Sequence, residues 1–173
     1  MALDTETSIA PYDAPEKDLY EIGEMPPLGH VPKQMYAWAI RRERHGVPSE
    51  SFKVEVVDTW DVDSNEVLVL VMAAGVNYNG VWAGRGEPIS PFDVHGQDYH
   101  IAGSDASGIV WKVGSAVKNW KVGDEVVIHC NQDDGNDEDC NGGDPMLSPT
   151  QRIWAMKRVT DLLHSSPRCK RSN

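Results

Sequence analysis

The sequence predicts a mainly β fold, a small barrel or sandwich. Five or six short runs are either solidly apolar or alternate apolar with polar residues, and glycine- or asparagine-marked turns separate them at close spacing. With 173 residues and 40% apolar content the chain can bury one sizeable core, so one main domain is expected.

Residues 1–34 hold five of the eleven prolines and little periodicity, which reads as an arm laid over the rest, with a short helix expected at Glu16 to Gly23. Met35 to Arg44 reads as a first strand whose charges follow its apolar part, closed by His45-Gly46. Phe52 to Trp60 alternates, as a half-buried strand does. Asp61 to Asn65 is a turn, and Val67 to Met72 is a buried strand rich in β-branched residues. Trp82 to His100 holds two prolines and three glycines and is expected to be a long irregular insertion. Gly108 to Gly114 and Glu125 to Cys130 are further strands, joined by a turn over Val117 to Asp124.

A net charge of -11 argues against nucleic acid or an anionic membrane as partner, since both demand a basic face. No apolar stretch approaches the ~18 residues that a membrane span needs. The acidic start, Met-Ala-Leu-Asp-Thr-Glu-Thr, shows no export signal, and cytoplasm is the expected compartment. Cys130, Cys140 and Cys169 fit neither a disulfide framework nor a four-thiolate zinc site, so reduced thiols are expected, with Cys130 a small buried residue. Asp137, Asp139, Asn141 and Gly142 match the opening of a calcium loop. The twelfth position is Ser148 rather than glutamate and Pro145 interrupts the loop, so a solvated surface loop is the expectation.

The candidate chemistry lies in two stretches. Val67 to Met72 runs through Gly75 into the polar corner Asn77-Tyr78-Asn79-Gly80, and Gly103-Ser104-Asp105-Ala-Ser-Gly108 stands downstream. On pattern alone the corner is an ordinary hairpin turn, because Asn79-Gly80 is a good turn dipeptide.

The order strand, Gly-Val-Asn-Tyr-Asn, loop, Gly-Ser-Asp-Ala-Ser-Gly, strand, Val-Gly-Asp-Glu-Val resembles the catalytic domain of medium-chain dehydrogenase/reductases. The resemblance implies a GroES-like, partly open β-barrel. In zinc-dependent members of that family a cysteine ligand stands where Asn77 is, and a histidine ligand where Ser104 is. An amide and a hydroxyl are poor zinc ligands, so no metal is expected. Trp38 to Gly46, Gly86 to Phe92 and Met146 to Trp154 are similar to crotonyl-CoA carboxylase/reductases, over about residue 10 to Trp154. Membership would imply NADPH as cofactor, an enoyl-CoA and carbon dioxide as substrates, an alkylmalonyl-CoA product and a homo-oligomeric whole enzyme. It would place Asn77 against carbon dioxide, where a neutral amide can donate a hydrogen bond without quenching an enolate. Tyr78 would pack near the cofactor, while Ser104 and Asp105 would cap and brace the segment after them. A zinc-free enoyl or quinone reductase and a non-enzymatic GroES-like partner-binding module are the alternatives.

The chain departs from the pattern after Trp154. The family continues with an aromatic residue and a glutamate in the carbon dioxide pocket, where this chain has Met156-Lys157. Residues 1–155 carry a net charge of -15 and residues 156–173 carry +4. A single-base frameshift accounts for both: one allowed codon set for Met156 to Ser166, read one base earlier, encodes Tyr-Glu-Thr-Arg-Asp-Gly-Ser-Phe-Ala-Gln-Phe. The expected organisation is therefore an arm over 1–34, an incomplete GroES-like catalytic domain over 35–155, and a non-native, disordered basic tail over 156–173. No Gly-x-Gly-x-x-Gly occurs, so the dinucleotide-binding α/β half is missing and the barrel is expected to end in unpaired strand edges.

Overall fold

The structure, a computed structural model, describes residues 14–133 and 135–153, and within the remainder the backbone of His164–Ser165 and Lys170–Arg171. It is mainly β. A three-stranded antiparallel sheet is formed by β1 (Gln34–Ile40), β2 (Lys53–Asp58) and the short β4 (His100–Ile101), in the order β2-β1-β4. A second sheet is built on β3 (Val67–Ala74), β5 (Ala106–Val113) and β6 (Glu125–Ile128). A two-stranded ribbon joins β7 (Asn131–Gln132) to β8 (Arg152–Ile153).

The apolar runs form these strands because each puts β-branched side chains on a shared buried face. Val67, Val69, Val110, Trp120, Val126 and Ile128 make the central cluster, with Val67, Val69 and Val110 fully buried. Burying each such side chain contributes about 1.5–3 kcal/mol. Gly108 lets β5 cross β3 closely, since a Cβ there would stand 2.1 Å from the Leu70 carbonyl oxygen. A second cluster, Ile40, Ala83 and Phe92, seats the helices against the smaller sheet.

Several expectations are corrected. The first strand stops at Ile40, and Arg42–Arg44 form a 3-10 turn that carries two of the expected strand's three arginines, followed by the one-turn helix α1 (Pro48–Ser51). Glu16 to Gly23 is not helical; the segment is instead tied down by Tyr20, which is buried, and by a 2.7 Å hydrogen bond from the Trp111 indole N–H to the His30 carbonyl. The insertion after Trp82 is not irregular. It takes in the second half of α2 (Tyr78–Arg85) and the whole of α3 (Pro91–His95), each closed by a glycine in the left-handed region, Gly86 at φ 72° and Gly96 at φ 63°. Cys140, on α4 (Glu138–Asn141), is the buried thiol and Cys130 is half-buried; both are free.

The outer edges of the larger sheet are not bare. β9 (His164–Ser165) pairs with Val67 and Leu68, and β10 (Lys170–Arg171) with Val126 and Val127, giving the order β10-β6-β5-β3-β9. Apart from these four backbone positions, the expected tail 156–173 lies outside the described residues, as does Cys169.

Candidate functional site

β3 and β5 pair antiparallel up to Ala74↔Ala106, and the ladder is extended by the Gly75 N–H donating to the Asp105 carbonyl at 3.1 Å. The two candidate stretches are therefore the residues just past the last rung, and they meet. Asn77 Nδ2 donates to Ser104 Oγ at 2.5 Å and to Asp105 Oδ1 at 2.9 Å, and Ser104 Oγ donates to Asp105 Oδ1 at 2.7 Å. Ser104 is buried; Asn77 and Asp105 are half-buried.

The corner is not a hairpin turn. Asn77 adopts extended backbone, φ -138° and ψ 172°, and its Oδ1 accepts from the Asn79 N–H at 3.0 Å, which makes it the N-cap of α2. Its amide is thus used at both ends, one capping the helix and one in the cluster. Ser104 and Asp105 turn back to Asn77 instead of bracing the segment that follows them.

Asn77 lies on the wall of a cleft of about 880 Å³ whose other walls are mostly apolar, among them Trp38, Phe52, Val71, Val81 and Ile101. Tyr78 is not part of that wall. It projects from the first turn of α2, is exposed, and stacks edge-to-face on Trp82 at 5.5 Å. Gly75 is the feature that sequence reasoning missed: a Cβ there would lie 1.9 Å from Asp105 Oδ2, so the carboxylate occupies the space of the absent side chain. An isolated glycine at a strand end is the signal for such a close approach.

A charge cluster ties β2 to the turn that follows β1. Glu55 receives Arg41 Nε at 3.0 Å, Arg41 Nη2 at 2.7 Å and Arg44 Nη2 at 2.5 Å, and Arg44 also donates to the Ala39 carbonyl at 3.0 Å. The Arg41 hydrogen bonds, then those of Arg44, hold the Glu55 carboxyl below the usual range against the opposing effect of burial. Glu55 in turn raises Arg41. Farther along, burial and then the Arg42 charge lower the His95 imidazole, which stacks on His100.

Zinc favours thiolate, imidazole and carboxylate ligands. The Asn77–Ser104–Asp105 cluster supplies an amide, a hydroxyl and one carboxylate, already bonded to one another, and this donor set does not fit the metal. Among the described residues, no group of three His, Cys, Asp or Glu side chains could hold a metal ion.

Residues 63–157 match the family described as alcohol dehydrogenase GroES-like domain. The chain is 78% identical over 154 residues to a crotonyl-CoA carboxylase/reductase of Cereibacter sphaeroides, a match covering 89% of this chain and 36% of that protein. A solved crotonyl-CoA carboxylase/reductase superposes with a TM-score of 0.81 at 68% identity, over 89% of this chain and 37% of that one. The 2-octenoyl-CoA carboxylase reductase CinF, solved in complex with NADP and 2-octenoyl-CoA, superposes with a TM-score of 0.70 at 30% identity, over 79% of this chain and 36% of that one. The chain thus spans about a third of the length of the relatives it matches. With that match over more than half its residues, the chain belongs to the alcohol dehydrogenase GroES-like domain family.

Proposed function

We propose that this chain is the part of a crotonyl-CoA carboxylase/reductase that holds carbon dioxide beside the reacting enoyl thioester, without zinc. The observation that carries the reading is the meeting of Asn77 with Ser104 at the wall of an apolar cleft. These are the two positions at which the zinc-dependent relatives carry metal ligands. Bound in the whole enzyme, NADPH would supply a hydride to the β-carbon of the substrate. The electron pair left at the α-carbon and thioester oxygen, an enolate, then forms a carbon–carbon bond to carbon dioxide, and the negative charge passes to the new carboxylate. A proton from water would divert the enolate to the saturated acyl-CoA. Apolar walls disfavour water at that point, and an amide N–H stabilises the developing carboxylate without being acidic enough to quench the enolate. This chain contains no Gly-x-Gly-x-x-Gly turn, so by itself it does not grip the dinucleotide and does not turn over.

The test is a chimera in which residues 1–154 replace the matching part of the Cereibacter sphaeroides protein. With crotonyl-CoA, NADPH and bicarbonate, the alkylmalonyl-CoA and saturated acyl-CoA products are measured. Mostly alkylmalonyl-CoA is expected. Saturated product alone would favour a zinc-free enoyl reductase and refute the carboxylation reading.

A further inference from the structure

We propose that Asp105 is a positioning residue that, with Ser104, fixes the orientation of the Asn77 amide, and that Gly75 is glycine to admit the Asp105 carboxylate. The proposal rests on the carboxylation reading of Asn77.

An asparagine amide has two unlike ends, and its usefulness as a donor depends on which end faces the reactant. Here each end is assigned by its partner. Oδ1 must accept, because it faces the Asn79 N–H at 3.0 Å. Nδ2 must donate, because it faces Asp105 Oδ1 at 2.9 Å and an ionised carboxylate has no proton to offer. Ser104 removes the remaining ambiguity. Its hydroxyl proton goes to Asp105 Oδ1 at 2.7 Å, so only its lone pairs are left for Asn77. Turning the amide over would set Oδ1 against the carboxylate and Nδ2 against a backbone donor, losing the bonds at both ends.

The cluster leaves donor capacity for a ligand. Separations of 2.5, 2.9 and 2.7 Å among Nδ2, Ser104 Oγ and Asp105 Oδ1 set the two acceptors about 60° apart as seen from Nδ2. The two N–H bonds of a planar amide diverge by about twice that angle, so one N–H shared by both acceptors suffices and the other is not needed by the cluster. Gly75 completes the device. Its missing side chain is the space that Asp105 Oδ2 fills, at 1.9 Å from where a Cβ would be, while its N–H holds the Asp105 backbone carbonyl at 3.1 Å. Any side chain at 75 therefore expels the carboxylate from behind Asn77.

The chimera described above tests this with Asn77→Ala, Asp105→Asn, Gly75→Ala and the Asn77→Ala/Asp105→Asn pair. Two quantities are read: the ratio of carboxylated to saturated product, and the rate of NADPH oxidation without carbon dioxide, which reports folding and hydride transfer. Asp105→Asn can present either end of its amide to Asn77, so the ratio is expected to fall about ten- to a hundredfold, the scale of a misplaced reacting group. NADPH oxidation should stay within about twofold. Gly75→Ala should reproduce that pattern, and the double variant should be no worse than Asn77→Ala alone, as expected for a residue acting through another. An unchanged ratio in Asp105→Asn beside a lowered one in Asn77→Ala overturns the positioning role while sparing the carboxylation reading. A parallel loss of NADPH oxidation in Asp105→Asn, or additive losses in the double variant, also overturns it. If Asn77→Ala keeps its ratio, the carboxylation reading falls and the positioning role falls with it.

Discussion

Replacing Glu55 by glutamine tests the ion-pair cluster that joins β2 to the turn after β1. Glu55 and Arg44 retain 18% side-chain exposure and Arg41 37%, so the triad is intermediate between a surface pair and a buried one. Exposed pairs contribute about 0.2–1 kcal/mol, whereas breaking a buried pair costs about 3–5 kcal/mol. Glutamine keeps the shape and one acceptor oxygen but leaves two guanidinium groups without their countercharge. An intermediate loss of about 2 kcal/mol at neutral pH follows. The loss is also pH-dependent. Arg41 and Arg44 depress the folded-state pKa of Glu55, so its contribution is complete above the unfolded carboxylate's pKa and vanishes as pH falls through the lower folded value. Urea unfolding of both proteins between pH 7 and pH 2.5 should therefore show a gap that narrows on acidification. A gap under about 0.5 kcal/mol at pH 7, or one that persists unchanged at the acid end, would refute the argument.

Three further outcomes are expected. Gly108→Ala places a Cβ 2.1 Å from the Leu70 carbonyl oxygen and should cost about 1–3 kcal/mol by the same urea assay; a neutral result would mean that β3 and β5 are not so closely apposed. Isothermal titration of the 173-residue chain with NADPH should show no binding in the micromolar range, and a micromolar dissociation constant would refute the proposal that this chain by itself does not grip the dinucleotide. The nucleotide sequence downstream of the Ala155 codon should, read one base earlier, continue with a tyrosine and a glutamate codon; an unrelated reading in that frame would eliminate the frameshift.

The β framework was legible because β3 is a continuous apolar run ending at Gly75, and β5 and β6 are built on the short apolar runs Ile109-Val-Trp111 and Val126-Val-Ile128, a pattern set by burial. The helices were not. Asn77 and Gly86 are the cap and stop of α2, but Asn79-Gly80 inside it is also a strong turn signal, and local propensity yielded to packing of Ala83 against Ile40 and Phe92. Glu16 to Gly23 failed in the opposite sense: the Tyr20 hydroxyl accepts from the Lys17 N–H and donates to the Pro15 carbonyl, closing a local loop in place of a helix, and burial of Tyr20 holds that loop down. At the site, the family resemblance set Asn77 and Ser104 at paired positions, and their side chains meet. Which way Ser104 and Asp105 turn depends on the β3–β5 register, and no sequence pattern encodes a pairing between strands some thirty residues apart.

That register has its own consequence. Asn77 and Asp105 start where the ladder stops at Ala74↔Ala106, so their separation is a vernier for how the two strands are aligned. A slip by one position would carry Gly75 away from Asp105 and leave a carboxylate pressing on a side chain. Assembly of the chemistry and correct threading of the sheet are thus a single event, and a misaligned molecule would be chemically silent rather than merely less stable.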